Sequence, residues 1–110
     1  MNYIIMPGLK YRDGIASNIK PEQIIQTVSE YFNITIKDLL GTCREHPICE
    51  ARHIAMWIIR KYCKKGTIFI GKLFKKDHTT VCHACQQVKN KMETEVSFKN
   101  DVHNIFNQLP

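Results

Sequence analysis

Between Asp77 and Met92 the chain commits itself to a single helix. Apolar side chains fall at Val81, Ala84, Cys85, Val88 and Met92, the i, i+3, i+4, i+7 spacing that gathers one stripe of a helix against a core. Asp77 stands just ahead of that stripe, where a carboxylate can accept hydrogen bonds from the orphan N–H groups of a helix start, so the helix is predicted to begin there. His78, Thr79 and Thr80 then occupy the first turn, outside the apolar stripe and free to project from the protein. Small polar donors and acceptors in a first turn, preceded by Lys75 and Lys76, suit a helix whose N-terminus enters a DNA major groove.

Charge points the same way. The 110 residues carry 16 Lys+Arg against 10 Asp+Glu, a formal net charge of +6. Residues 51–76 hold no Asp or Glu, while Arg52, Arg60, Lys61, Lys64, Lys65, Lys72, Lys75 and Lys76 all lie there. A charge run is most often a solvated face, but one that leads into a candidate reading helix is better explained by phosphate contact. With 44% apolar and 24% charged residues, the chain matches one small globular domain.

The remaining segments read as further helices around the same core. Residues 1–19 read as an N-terminal arm, in which Lys10, Tyr11 and Arg12 suit a strand of chain following a phosphate backbone or a loosely packed tail. Pro21 and Glu22 open a helix running to about Phe32, with Ile24, Ile25, Val28, Tyr31 and Phe32 inward. A short second helix begins near Thr35. Gly41 to Cys49 reads as a loop, because Pro47 disfavours helix just before it. A long helix from about Glu50 to Lys64 turns Ile54, Trp57 or Ile58, and Tyr62 inward. After Lys64-Lys65-Gly66, Thr67 caps a short helix containing Ile68, Ile70, Gly71, Leu73 and Phe74. Ser97 caps a last one with Phe98, Val102, Ile105, Phe106 and Leu109 on one face.

Ile70-Gly71-x-x-Phe74, followed by Asp77-His78-Thr79-Thr80-Val81-x-His83-Ala84-Cys85, closely resembles the helix-turn-helix signature at the C-terminal end of DnaA, the bacterial chromosomal replication initiator. The resemblance extends more loosely from about Lys20 to Leu109. It implies an all-α bundle of five to six helices of the Trp-repressor-like group over residues 20–110, binding double-stranded DNA. It also implies that Asp77, His78, Thr79 and Thr80 meet base edges or phosphates in the major groove, and that Arg52 reaches the adjacent minor groove. For Arg52 the alternatives are a solvated side chain or a pair with Glu45. Arg44, Lys64, Lys65, Lys72, Lys75 and Lys76 are expected mostly on phosphates. The sequence departs from the family at the turn, where Phe74-Lys75-Lys76-Asp77 is one residue shorter than the usual Phe-Gly-Gly-Arg-Asp, and at Glu50, Ala51 and His53. Recognition of the family's own target, the DnaA box, is thereby left open.

Other classes find less support. No Cys or His lies in a catalytic signature, so no enzyme is expected. There is no G-x-x-x-x-G-K-[ST] loop and therefore no expectation of nucleotide binding. Cys43, His46 and Cys49, with Cys63, are spaced loosely like metal ligands but lack the paired knuckles of structural zinc sites, so no metal is expected; no other cofactor is expected either. Five cysteines without a signal-peptide pattern fit reduced thiols and a cytoplasmic, nucleoid-associated location. No apolar run approaches the ~20 residues that span a bilayer. The functional expectation is regulation of replication initiation, possible competition with DnaA at its sites, or regulation of transcription. The alternative is a protein-interaction module that keeps the fold without reading DNA.

Overall fold

The structure, a computed structural model, describes residues 19–42 and 44–109. The expected arm over residues 1–19 lies almost wholly outside the described residues, as does Cys43. Six helices follow in order: α1 Pro21–Phe32, α2 Ile36–Leu39, α3 His46–Tyr62, α4 Thr67–Phe74, α5 His78–Thr94 and α6 Val96–Gln108. The architecture is all-α.

Local chemistry accounts for most of the boundaries. Pro21 opens α1, whose start is tied by the Lys20 N–H donating to Gln23 Oε1 at 2.9 Å. Asn33 ends it in the left-handed region at φ 57, with its own N–H bonded to Glu30 O and that of Ile34 to Ser29 O; this is the paired-bond closure of a Schellman motif. The Thr35 hydroxyl caps α2 by accepting from the Asp38 N–H at 3.1 Å.

Three boundaries differ from the sequence-based expectation: Gly66, not Thr67, is the cap residue of α4, and Thr67 is its first helical residue. α3 begins at His46, four residues earlier than expected, with Pro47 inside its first turn. A first-turn N–H has no partner within the helix, so proline costs nothing there. α6 begins at Val96 with Glu95 as its cap residue, so Ser97 lies within the first turn and the break between α5 and α6 is a single extended residue.

The core is built on α3. Ala51, Ile54, Ala55, Met56, Ile58, Ile59 and Tyr62 are all buried, giving this helix an apolar face wide enough to meet α1, α4 and α5. From α5 come Val81, Ala84, Cys85 and Val88, and from α6 Phe98, Val102 and Ile105. Trp57 and Tyr62 both meet the Phe106 ring, with centroids 5.9 and 5.5 Å away. The Tyr31 hydroxyl donates to Asp101 Oδ1 at 2.9 Å, joining α1 to α6. No described helix is long and apolar enough to cross a membrane.

Candidate nucleic-acid interface

The link between α4 and α5 is a tight turn. Lys75 sits in the left-handed region at φ 58. Its N–H bonds to Lys72 O at 3.4 Å and that of Lys76 to Gly71 O at 2.8 Å, a second Schellman closure. The turn that is short by one residue thus still ends α4 with paired backbone hydrogen bonds. Gly71 makes the geometry possible: a Cβ built there would stand 2.5 Å from Lys76 O and 3.4 Å from the His78 backbone N. Phe74 is fully buried beneath the turn.

Asp77 is the cap residue of α5 by position, but its carboxylate makes no capping hydrogen bond. The first-turn N–H groups of α5 are therefore not taken by this side chain, which suits an anion held at the helix N-terminus. Asp77, His78, Thr79 and Thr80 are all exposed. A hollow of about 570 Å³ lies against this turn, lined by Ile68, Gly71, Lys72, Lys75, Lys76, Asp77, His78 and Thr80. Three ammonium groups face one carboxylate there, so the hollow favours an anionic, hydrogen-bonding surface. Six residues nominated from sequence meet in it: Lys72, Lys75, Lys76, Asp77, His78 and Thr80.

The other nominated residues stand apart from that lining. Thr79 is exposed on the first turn of α5, and Arg44 is exposed just before α3. Lys64 and Lys65 are exposed between α3 and α4; Lys64 adopts φ 57, and Lys65 Nζ lies 5.1 Å from the Phe69 ring centroid.

Arg52 departs furthest from expectation. It is only 4% exposed, and it donates from Nε to Leu39 O at 2.7 Å and from Nη2 to Asp38 O at 2.9 Å. A cation placed on the last carbonyls of a helix is favourably aligned with its dipole. The side chain expected to reach a minor groove is thus directed inward in this structure, tying the end of α2 to α3.

Two features escaped the sequence reading. Ile68 is 64% exposed and lines the hollow; its place two residues before the buried Ile70, about 200° around the helix, was the available signal. Glu50 carries an ion pair from Lys91 of α5, and the ammonium also lies 5.3 Å from the Phe98 ring centroid. The hydrogen bond to Glu50 is the main reason the Lys91 pKa is raised. Beside this pair, Cys49 Sγ is 3.7 Å from His53 Nε2. Burial is the main cause of a lowered His53 pKa, with the nearby Arg52 and Lys91 charges adding to it. Among the described residues no three His, Cys, Asp or Glu side chains are grouped to hold a metal; Cys82 is exposed and Cys85 buried, both as free thiols.

Known proteins match most of this chain. The family model described as the bacterial dnaA protein helix-turn-helix matches residues 21–88. Chromosomal replication initiator protein DnaA of Bifidobacterium animalis subsp. lactis is 37% identical over 92 residues, 83% of this chain and 15% of that protein. DnaA of Aquifex aeolicus is 39% identical over 79 residues, 71% of this chain and 20% of its own length. The protein named DnaA 2 of Chlamydia muridarum is 30% identical over 92 residues, 84% of this chain and 20% of its length. The chain thus spans a fifth or less of each of these relatives. With the family model covering α1 through most of α5, the chain belongs to the bacterial DnaA helix-turn-helix family.

Proposed function

We infer that this chain binds double-stranded DNA in a sequence-specific manner, with the N-terminal turn of α5 in the major groove. The observation that carries the reading is the single hollow in which Lys72, Lys75 and Lys76 meet Asp77, His78 and Thr80. Lysines supply phosphate contacts that set register, and the first-turn side chains supply donors, acceptors and a threonine methyl for base edges. Arg44, Lys64 and Lys65 extend the basic surface along the backbone, while Arg52 acts from within by holding the α2–α3 corner. The role that fits a domain of this kind is control of replication initiation at DnaA-box-like sites, in competition with DnaA, or control of transcription, in the nucleoid. Catalysis and nucleotide binding form no part of this reading.

The shorter turn is the sequence feature that most favours an interaction module that no longer reads DNA. That argument weighs less because the turn closes with two backbone hydrogen bonds and leaves His78, Thr79 and Thr80 exposed.

The test is a fluorescence anisotropy titration of a labelled DnaA-box duplex against a scrambled duplex, repeated across salt concentrations. Preference for the box is expected. For about six neutralised phosphates, log K should fall with log salt at a slope near −5. Thr79→Ala with Thr80→Ala should erase the preference and keep the fold. Equal, salt-sensitive binding to both duplexes would move the target to another sequence, and no binding to either would favour the interaction module.

A further inference from the structure

α5 is held at its reading end by Gly71, whose contact with the turn admits no side chain. Val81, Ala84, Cys85 and Val88 bury its first two thirds against the core, and beyond Val88 no side chain of α5 is buried. The distal half of α5 faces a cavity of about 410 Å³, lined by His46, Cys49, His53, Gln87 and Val88 among others. With no buried side chain beyond Val88, apolar contact alone ties the distal end of α5 to α3 less firmly than it ties the middle. The Glu50–Lys91 ion pair joins the two helices at this place.

We propose that Glu50 and Lys91 are positioning residues for DNA reading: their ion pair, on the rim of the α3–α5 cavity, sets the tilt at which the N-terminal turn of α5 is presented. The proposal rests on the DNA-reading function inferred above and adds a specificity determinant far from the DNA. Lys91 lies thirteen residues beyond His78, about 20 Å along the helix axis. A tilt of ~5° about one end of such a lever moves the other by about 1.7 Å. Hydrogen bonds to base edges tolerate only a few tenths of an ångström, so sequence preference should respond to such a tilt. Phosphate attraction, which is long-ranged and less directional, should hardly change. The Phe98 ring under the ammonium keeps Lys91 at the α5–α6 corner, which favours a fixed strut over a freely moving surface lysine.

The side chains of Glu50 and Lys91 are 25% and 36% exposed, so neutral replacements are compatible with folding. The experiment compares the full chain with Glu50→Gln, Lys91→Met and the exchanged pair Glu50→Lys/Lys91→Glu. Two quantities are read: the affinity ratio between the preferred and a scrambled duplex, and backbone N–H residual dipolar couplings that give the angle between α3 and α5 without DNA. Each single variant is expected to lower the ratio about fivefold, with scrambled-duplex affinity and salt slope unchanged, and to rotate α5 in the couplings. The exchanged pair should recover part of both, because it restores the ion pair without an ammonium over the Phe98 ring. Unchanged couplings in the single variants overturn the proposal, as does a loss that falls equally on both duplexes. A wild-type chain without sequence preference, whose α5 still rotates in the single variants, would sink the specific-reading function and leave the strut standing.

Discussion

Gly71 and Lys76 approach so closely that a Cβ on the glycine would lie 2.5 Å from the Lys76 carbonyl oxygen. The contact is with backbone, which cannot swing aside as a flexible side chain would. Gly71→Ala must therefore push the turn away from α4, at a cost of about 1–3 kcal/mol. Thermal unfolding should show the lower midpoint, and the anisotropy titration a weakened preference, because the displaced turn carries Asp77 and His78.

Lys75 occupies the left-handed conformation that most L-residues avoid. Lys75→Gly releases that strain but gives the unfolded chain more freedom, for a net gain of about 0.5–1 kcal/mol. The melting temperature should rise by about 3–6 °C. DNA affinity should nevertheless fall, and the magnitude of the salt slope should drop by about 0.9 if Lys75 neutralises one phosphate. Stability and binding moving in opposite directions is the signature to look for.

Arg52 offers a clean distinction between an internal strut and a DNA contact. Arg52→Met leaves the Asp38 and Leu39 carbonyls without their charged donor and should cost about 2–4 kcal/mol in chemical denaturation. Measured on the folded fraction, the salt slope should remain that of the wild type. A reduced slope would mean that the guanidinium leaves its carbonyls and reaches phosphate when DNA is bound.

His53 and His103 both have lowered pKa values, in each case chiefly through burial. A folded pKa below the unfolded one means the unfolded chain binds more protons as the pH falls. The stabilisation is present above the ordinary histidine pKa and is lost as the pH drops through the folded value. Melting temperature should therefore decline as the pH falls below the ordinary histidine range, and His53→Gln should flatten part of that decline.

Much of the fold follows from relations between residues a few positions apart, and these are legible in the sequence. The α1 limits, the start of α2 near Thr35 and the buried stripe of α5 all rest on a 3.6-residue period or a helix-start signal. The exposure of His78, Thr79 and Thr80 is the complement of the stripe beside them. Pro47 marks where local reading is ambiguous, since the same residue ends one helix and opens another; the bundle settles it by burying Ala51 and the residues behind it.

What the tertiary structure alone decides is the partner of each long side chain. Arg52 was legible as a cation near the reading unit, but its reach covers both solvent and the end of α2. Only the packing of α2 on α3 brings the Asp38 and Leu39 carbonyls within hydrogen-bond distance of its guanidinium. Lys91 and Glu50, 41 residues apart, share no pattern that would link them, and they meet because α3 and α5 pack side by side at the level of a cavity. Local conformation is governed by bonds and sterics within about one helical turn, so a single sequence determines it; long-range pairing depends on which backbone lands within reach, and that is settled only when the helices are assembled.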